Sequence, residues 1–244
     1  MNKKKYMMLS ESIEMDGHIL YRIQALVPFS DVQAGQMGGF IESEENLSHD
    51  GLAWIYDDAC ACDGSRVYGD AQLRNRATIR DNAQAYDSAV LEDDSLVDEE
   101  AEVYGRARMR GCSRASGTSC IYDDVELIED AHARGNSRAY GSTILRNQAV
   151  LDDNARAYGS VDIGYHAMIC GDARVSKNTH WFHLGFLNAT FFFNKFGGVS
   201  IYSMQDEVLY DSADFIHKHD FGELEVIRPL AEKACEMAEA AIKI

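Results

Sequence analysis

The chain has 244 residues, with 40 acidic against 23 basic side chains and a formal net charge of −17. Charge of that sign repels a phosphate backbone, so direct nucleic-acid binding is not expected, and no apolar run approaches the roughly 20 residues of a membrane span. The stretch after the basic Met1–Tyr6 is too short for a signal-peptide core. The six scattered cysteines therefore read as reduced thiols of a cytoplasmic protein.

In chain order, residues 1–52 read as a small N-terminal β cap. Tyr21 to Val27 predicts a strand closed by Pro28, Asp31 to Gly39 is rich in turn residues, and Phe40-Ile41 predicts a second short strand.

Residues 53–178 are periodic. Stepping by six from Ala53, every position is Ala, Ser, Thr or Val, and two residues after each comes Val, Ile, Leu, Met or Ala, through twenty-one hexads without a break. A tyrosine recurs every eighteen residues, at Tyr68, Tyr86, Tyr104, Tyr122, Tyr140 and Tyr158. A period of six inside a period of eighteen describes a coil with three sides, a triangular single-stranded parallel β-helix. First and third residues of a hexad share a side of the strand and point inward; the first is small because three sides converge there. The fifth and sixth form the corner, where Gly, Asn and Asp suit a left-handed backbone. Seven coils at about 4.8 Å give a prism roughly 34 Å long.

The three faces differ at the fourth position. The tyrosine face also carries Arg66, Arg138 and Arg156 at its second position. A second face carries Arg74, Glu92, Arg110, Ile128 and Arg146, and a third carries Arg80, Asp98, Ser116, Arg134 and Asp152. The pairs Arg74–Glu92–Arg110 and Arg134–Asp152 are expected between stacked coils, chiefly as register devices, because like charges stacked directly are unfavourable.

Residues 179–244 form an α+β C-terminal cap. Thr190 to Phe193 and Val199 to Tyr202 predict a hairpin around Asn194–Gly198, Ser212 predicts the cap of a short helix, and Pro229 starts a last helix with Leu230, Ala234, Met237 and Ala241 on one stripe.

The hexads resemble those of left-handed β-helix acyltransferases, with glycine displaced by one place, and that resemblance favours a left-handed coil. The segment DVQAGQMGGFIESEENLS at 31–48, WIYDDA at 54–59 and the 190–203 tail are similar to the YdcK-like hexapeptide-repeat proteins of enterobacteria and their phages. The resemblance implies a bacterial cytoplasm, a phage or prophage setting and the label of acyltransferase. That label would bring a CoA thioester and a histidine base in a cleft between subunits.

Among candidate residues, the tyrosine ladder with Arg66, Arg138 and Arg156 reads foremost as a subunit interface, then as a bare stabilising ladder, then as a surface for a ligand or foreign partner. His132, outward on a face, and His166, at a corner beside Tyr165, are the two histidines available as an acyltransferase base, and both read better as structural. The pairs His180/His183 and His217/His219, and Cys60 with Cys62, lack a zinc spacing. Acidic corner pairs such as Asp57-Asp58, Asp93-Asp94, Asp123-Asp124 and Asp152-Asp153 read as solvated turns rather than calcium sites. The expectation is a non-catalytic binding or scaffold protein without cofactor or metal. It would act as a dimer or trimer, with a host protein as the candidate partner. The alternatives are acyl transfer and binding of a nucleotide-like anion between subunits.

Overall fold

The computed structural model describes residues 4–178, 181–184, 189–196, 198–205, 207–211, 214–215 and 228–242. It is mainly β, a parallel solenoid of about eight turns flanked by a hairpin at one end and a small sheet with one helix at the other. Each side of a coil is a two-residue rung that pairs in parallel with the residue eighteen further on, as in Arg66↔Gln84 and Leu96↔Arg114. The rungs make three columns. Arg66–Val67 to Arg174–Val175 form the tyrosine face, Trp54–Ile55 to Asp162–Ile163 the second, and Cys60–Ala61 to Met168–Ile169 the third.

The alternation that predicts the inside is realised throughout: every first and third position from Ala53 to Val175 is at most 1% exposed. The corner explains the fifth position. All residues there from Asp57 to Gly171 have positive φ, between 52° and 77°, the region where a Cβ is penalised and Gly, Asn and Asp are tolerated. At Gly117 a Cβ would also stand 2.5 Å from the carbonyl oxygen of Gly135 in the next coil, so space and torsion both exclude a side chain.

One turn more is present than the unbroken hexads predict. Met37–Ile41 is a rung of the third column, with Phe40↔Cys60 and Ile41↔Ala61, and Leu47 bridges Val67 on the tyrosine side. Ile41 and Leu47 are fully buried like the later inward residues. Their partners lie twenty residues on rather than eighteen, because two extra residues enter before Ile55 pairs with Leu73.

Antiparallel strands Tyr6–Met15 and His18–Ala25 continue the third column past that rung. The predicted Tyr21 strand thus starts earlier, at His18, and gains a partner that the sequence reading lacked. The hairpin segment covers positions that otherwise point to water. Trp54 is fully buried, with Phe29 and Tyr6 edge-on to its ring. Cys60 and Cys62 pack under Leu20 and Phe40, and burial pushes their thiols up to about 11 and about 12.

At the other end, the predicted hairpin is the centre of a four-stranded antiparallel sheet, Trp181–Leu184, Ala189–Phe193, Val199–Ser203 and Val208–Asp211. Alternation along the second strand splits its rings: Phe192 joins the solenoid core, Phe191 the core of the cap. The last helix, Arg228–Ile242, packs through Ala231 and Cys235. Met237 is 64% exposed, so the expected stripe through it is displaced around the helix. Ser212 lies outside the described residues. No described helix is long and apolar enough to cross a membrane.

Candidate functional site: the tyrosine face

The eighteen-residue spacing places the six tyrosines on successive rungs, and the rise of the coil sets their separation. Neighbouring rings from Tyr68 to Tyr158 lie 4.7–5.2 Å apart between centroids and within 8° of parallel. Each is half-buried: its faces cover one another and its edge meets solvent. Tyr68 and Tyr86 donate their hydroxyls to Gln84 and Glu102 on the following rung, at 3.1 and 3.0 Å. Burial pushes the Tyr104 phenol up to about 12 and raises those of Tyr86 and Tyr122.

The second-position column beside the wall reads Arg66, Gln84, Glu102, Cys120, Arg138, Arg156 and Arg174, with its positive charge at the two ends. Arg66 and Arg138 are exposed. Arg138, Arg156 and Arg174 sit on adjacent rungs in direct register, a stacking that costs rather than gains energy. Among the described residues, no carboxylate lies within ion-pair distance of Arg66, Arg138 or Arg156. At the foot of the wall Arg66 and Tyr68 line an open cavity of about 500 Å³ with Glu45, Ser48, Val67 and Gln84.

Acid is concentrated at the edges of the prism. Over 53–178 the outward face positions hold eleven arginines and six carboxylates, whereas the corners hold sixteen carboxylates and three basic residues. The hydrogen bonds supply the reason. Asp57, Asp93, Asp123 and Asp153 each accept the backbone N–H of the corner eighteen residues on, at 2.9–3.0 Å. The companions Asp58, Asp94, Asp124 and Asp152 face Arg22, Arg76, Arg106 and Arg134. The four acidic pairs are therefore neither solvated turns alone nor arranged as a cation cage: one member ties coils together and the other is paired.

Of the expected ion pairs, Arg134–Asp152 forms at 2.6 Å. Arg110 instead reaches Glu126 at 3.3 Å, and Arg74 lies over the Tyr56 ring with Asp31 3.6 Å away. A fourth-position arginine is long enough to reach a second-position carboxylate on the next rung, and the N-terminal segment brings Asp31 within range.

His132 belongs to a polar patch on the third face. Its Nε2 lies 2.9 Å from the Ser116 hydroxyl, and burial, then Arg114 and Arg134, lowers its pKa. Asp98, 1% exposed, anchors the patch between Arg80 and Arg114. His166 is exposed at its corner and lines a separate cavity at the solenoid–cap junction. The structure brings neither histidine to the tyrosine wall.

One cluster was invisible to spacing. His18 bridges Glu42 at 3.0 Å through Nδ1 and Asp63 at 3.3 Å through Nε2, and one donor atom from each residue lies within 4.8 Å of the others. Three separate elements supply it, so no local motif announces it. Both ring nitrogens face carboxylates, which fits an imidazolium; the Glu42 hydrogen bond and then Asp63 raise the His18 pKa. His180, His217 and His219 lie outside the described residues, so the expected histidine pairs are not placed.

Fold and face together define a parallel β-solenoid with an aromatic, arginine-flanked side. Compared with known protein families and with curated proteins, the chain matches none.

Proposed function

We propose that the chain is a binding or scaffold protein whose tyrosine face receives the acidic edge of a second copy. One observation carries this reading: a wall of six stacked rings, about 24 Å long, stands beside Arg138, Arg156 and Arg174 in direct register, and among the described residues no carboxylate pairs with Arg138 or Arg156. Tyrosine and arginine dominate interface energetics, and desolvating an uncompensated arginine column is favourable only against an acidic surface. The corners of another copy offer one, and a molecule of net charge −17 needs such a local reversal of sign to approach itself. The YdcK-like resemblance adds a bacterial or phage setting, in which a host protein with an acidic surface is the competing partner.

Native mass spectrometry tests this. A dimer or trimer is expected that dissociates with rising salt and with Arg138→Glu plus Arg156→Glu, while circular dichroism is unchanged. A monomer at all concentrations, or an oligomer indifferent to both charge reversals, overturns it. A bound nucleotide-like mass lost with the same substitutions would instead favour the anion reading.

A second reading, acyl transfer from a CoA thioester, draws on the His132 environment. Burial and two arginines keep that imidazole in the neutral state that a base requires, with the Ser116 hydroxyl beside it. Thioester turnover that is abolished in His132→Ala would carry it; turnover that is absent or unaffected would retire it.

A further inference from the structure

We infer that the cleft between the last coils and the C-terminal sheet is a binding site for a planar aromatic ligand carrying a hydrogen-bond acceptor such as a carboxylate. The cleft is about 500 Å³ and is lined, among the described residues, by Tyr165, His166, Trp181, Phe182 and His183. Such a volume suits a small molecule, and aromatic walls with a few polar groups are the usual make-up of such sites.

Tyr165 is the first sign. It is the one aromatic residue at a fifth position, and it holds φ 58° there while its side chain is 66% exposed. Its backbone is held as at any other corner, with its N–H donated to Asn147 Oδ1 at 3.1 Å and its carbonyl accepting from Gln148. From Asp57 to Gly171 every other fifth position is Gly, Asp, Asn or Glu, and Lys177 is the one later exception. A bulky side chain in the left-handed region costs about 1–3 kcal/mol, a cost that concentrates at functional positions. No packing offsets it, because the ring stands in solvent at the mouth of the cleft.

The opposite wall has donors without acceptors. Thr190 Oγ1 accepts the Met168 N–H at 3.0 Å, so the one hydroxyl hydrogen of this fully buried residue is free for His183 Nδ1, also at 3.0 Å. With Nδ1 accepting from that hydroxyl, Nε2–H is the donor of a neutral ring, and burial, then His166, lowers the His183 pKa. The Trp181 indole N–H is shielded from water and, among the described residues, meets no acceptor. A shielded, unpaired donor is a penalty that an incoming acceptor relieves. Phe182, on the other face of the same strand, stacks on Phe191 at 4.6 Å and ties that strand to the core of the cap. A flat ring would lie between Tyr165 and the edge strand Trp181–Leu184, with its acceptor toward the Trp181 indole N–H and the His183 imidazole.

The chain has two tryptophans, and Trp54 is fully buried in the N-terminal cap, so emission changes on titration report on Trp181. The full chain would be titrated with benzoate, nicotinate and indole-3-acetate, with cyclohexanecarboxylate as the non-planar control. A saturable change with at least one aromatic probe, absent for the control and in Trp181→Phe, is expected. Tyr165→Gly should weaken that probe about tenfold or more while leaving the melting temperature no lower, because glycine suits the corner; His183→Gln should weaken it likewise. No saturable change with any aromatic probe, or equal affinity in wild type and both variants, overturns the site.

Discussion

Asp93 Oδ2 accepts the backbone N–H of Gly111, eighteen residues further along and one coil away, at 3.0 Å. The same tie recurs from Asp57, Asp63, Asn75, Asp81, Glu129, Asn147 and Asp153. A corner residue in this solenoid therefore has two tasks, to tolerate positive φ and to satisfy the amide of the next corner. Asp and Asn perform both, and glycine only the first. Asp93→Asn should be near neutral, as Asn75 already makes this bond. Asp93→Gly should cost about 1 kcal/mol for the hydrogen bond. Asp93→Ala should cost about 2 kcal/mol, because a left-handed backbone adds about 1 more. Urea denaturation ranks the three, and an alanine variant as stable as the asparagine variant would contradict the account.

Asp98 and its two arginines separate a buried partner from an exposed one. The carboxylate is 1% exposed, whereas the Arg114 side chain is 40% exposed and Arg80 also reaches Asp16 at 3.1 Å. Asp98→Ala removes the carboxylate that the two arginines share, leaving Arg80 with Asp16 and Asp81 and Arg114 to solvent, and should cost about 1–2 kcal/mol. Arg114→Ala leaves Asp98 paired with Arg80 and should cost under about 1 kcal/mol. Equal losses would mean that the patch is fully solvated.

The His18 bridge makes attachment of the N-terminal hairpin sensitive to pH. Its pKa is raised in the folded state, first by the Glu42 hydrogen bond and then by Asp63, with Asp16 also facing it. The stabilisation is therefore fully present below the ordinary histidine value near 6.5 and disappears as pH rises through the higher folded value. Amide-exchange protection of strand Tyr6–Met15 should exceed that of His18→Gln at about pH 6, and the difference should close by about pH 9. A difference that grows with pH would reverse the assignment.

The parts of the molecule that can be read along the chain are those that local geometry dictates. Side-chain alternation made Ala83 and Ala85 inward without further information, and a fixed eighteen-residue spacing made the tyrosine stack a matter of arithmetic. The extra turn through Ile41 and Leu47 escaped because two inserted residues shift its register. Outward Trp54 and Cys60 are buried because N-terminal residues from Tyr6 to Phe40 fold over them, and nothing beside them in sequence says so. The cleft escaped for the same reason: His166 was visible as a corner histidine, but Trp181 and His183 reach it only through the docking of the C-terminal sheet by Thr190 and Phe192.

Small first-position residues differ in one respect that sequence does not grade. Thr143 donates its hydroxyl to the Tyr140 carbonyl at 2.9 Å and Ser65 to Ile79 at 3.3 Å. The hydroxyls of Ser95, Ser113, Ser119 and Ser137 are equally buried and meet no partner. An unpaired hydroxyl in an apolar interior costs about 1–3 kcal/mol, and alanine occupies thirteen of the twenty-one first positions, so a methyl group fits the site. Ser113→Ala removes the penalty and leaves almost no cavity; it should stabilise the chain by about 0.5–1 kcal/mol. Ser65→Ala breaks a bond and orphans nothing that was unpaired before, so it should be neutral or slightly destabilising. Thermal and urea unfolding of the two variants side by side test this. A loss of stability in Ser113→Ala larger than in Ser65→Ala would mean that the Ser113 hydroxyl has an acceptor in solution, and that the solenoid interior is not dry there.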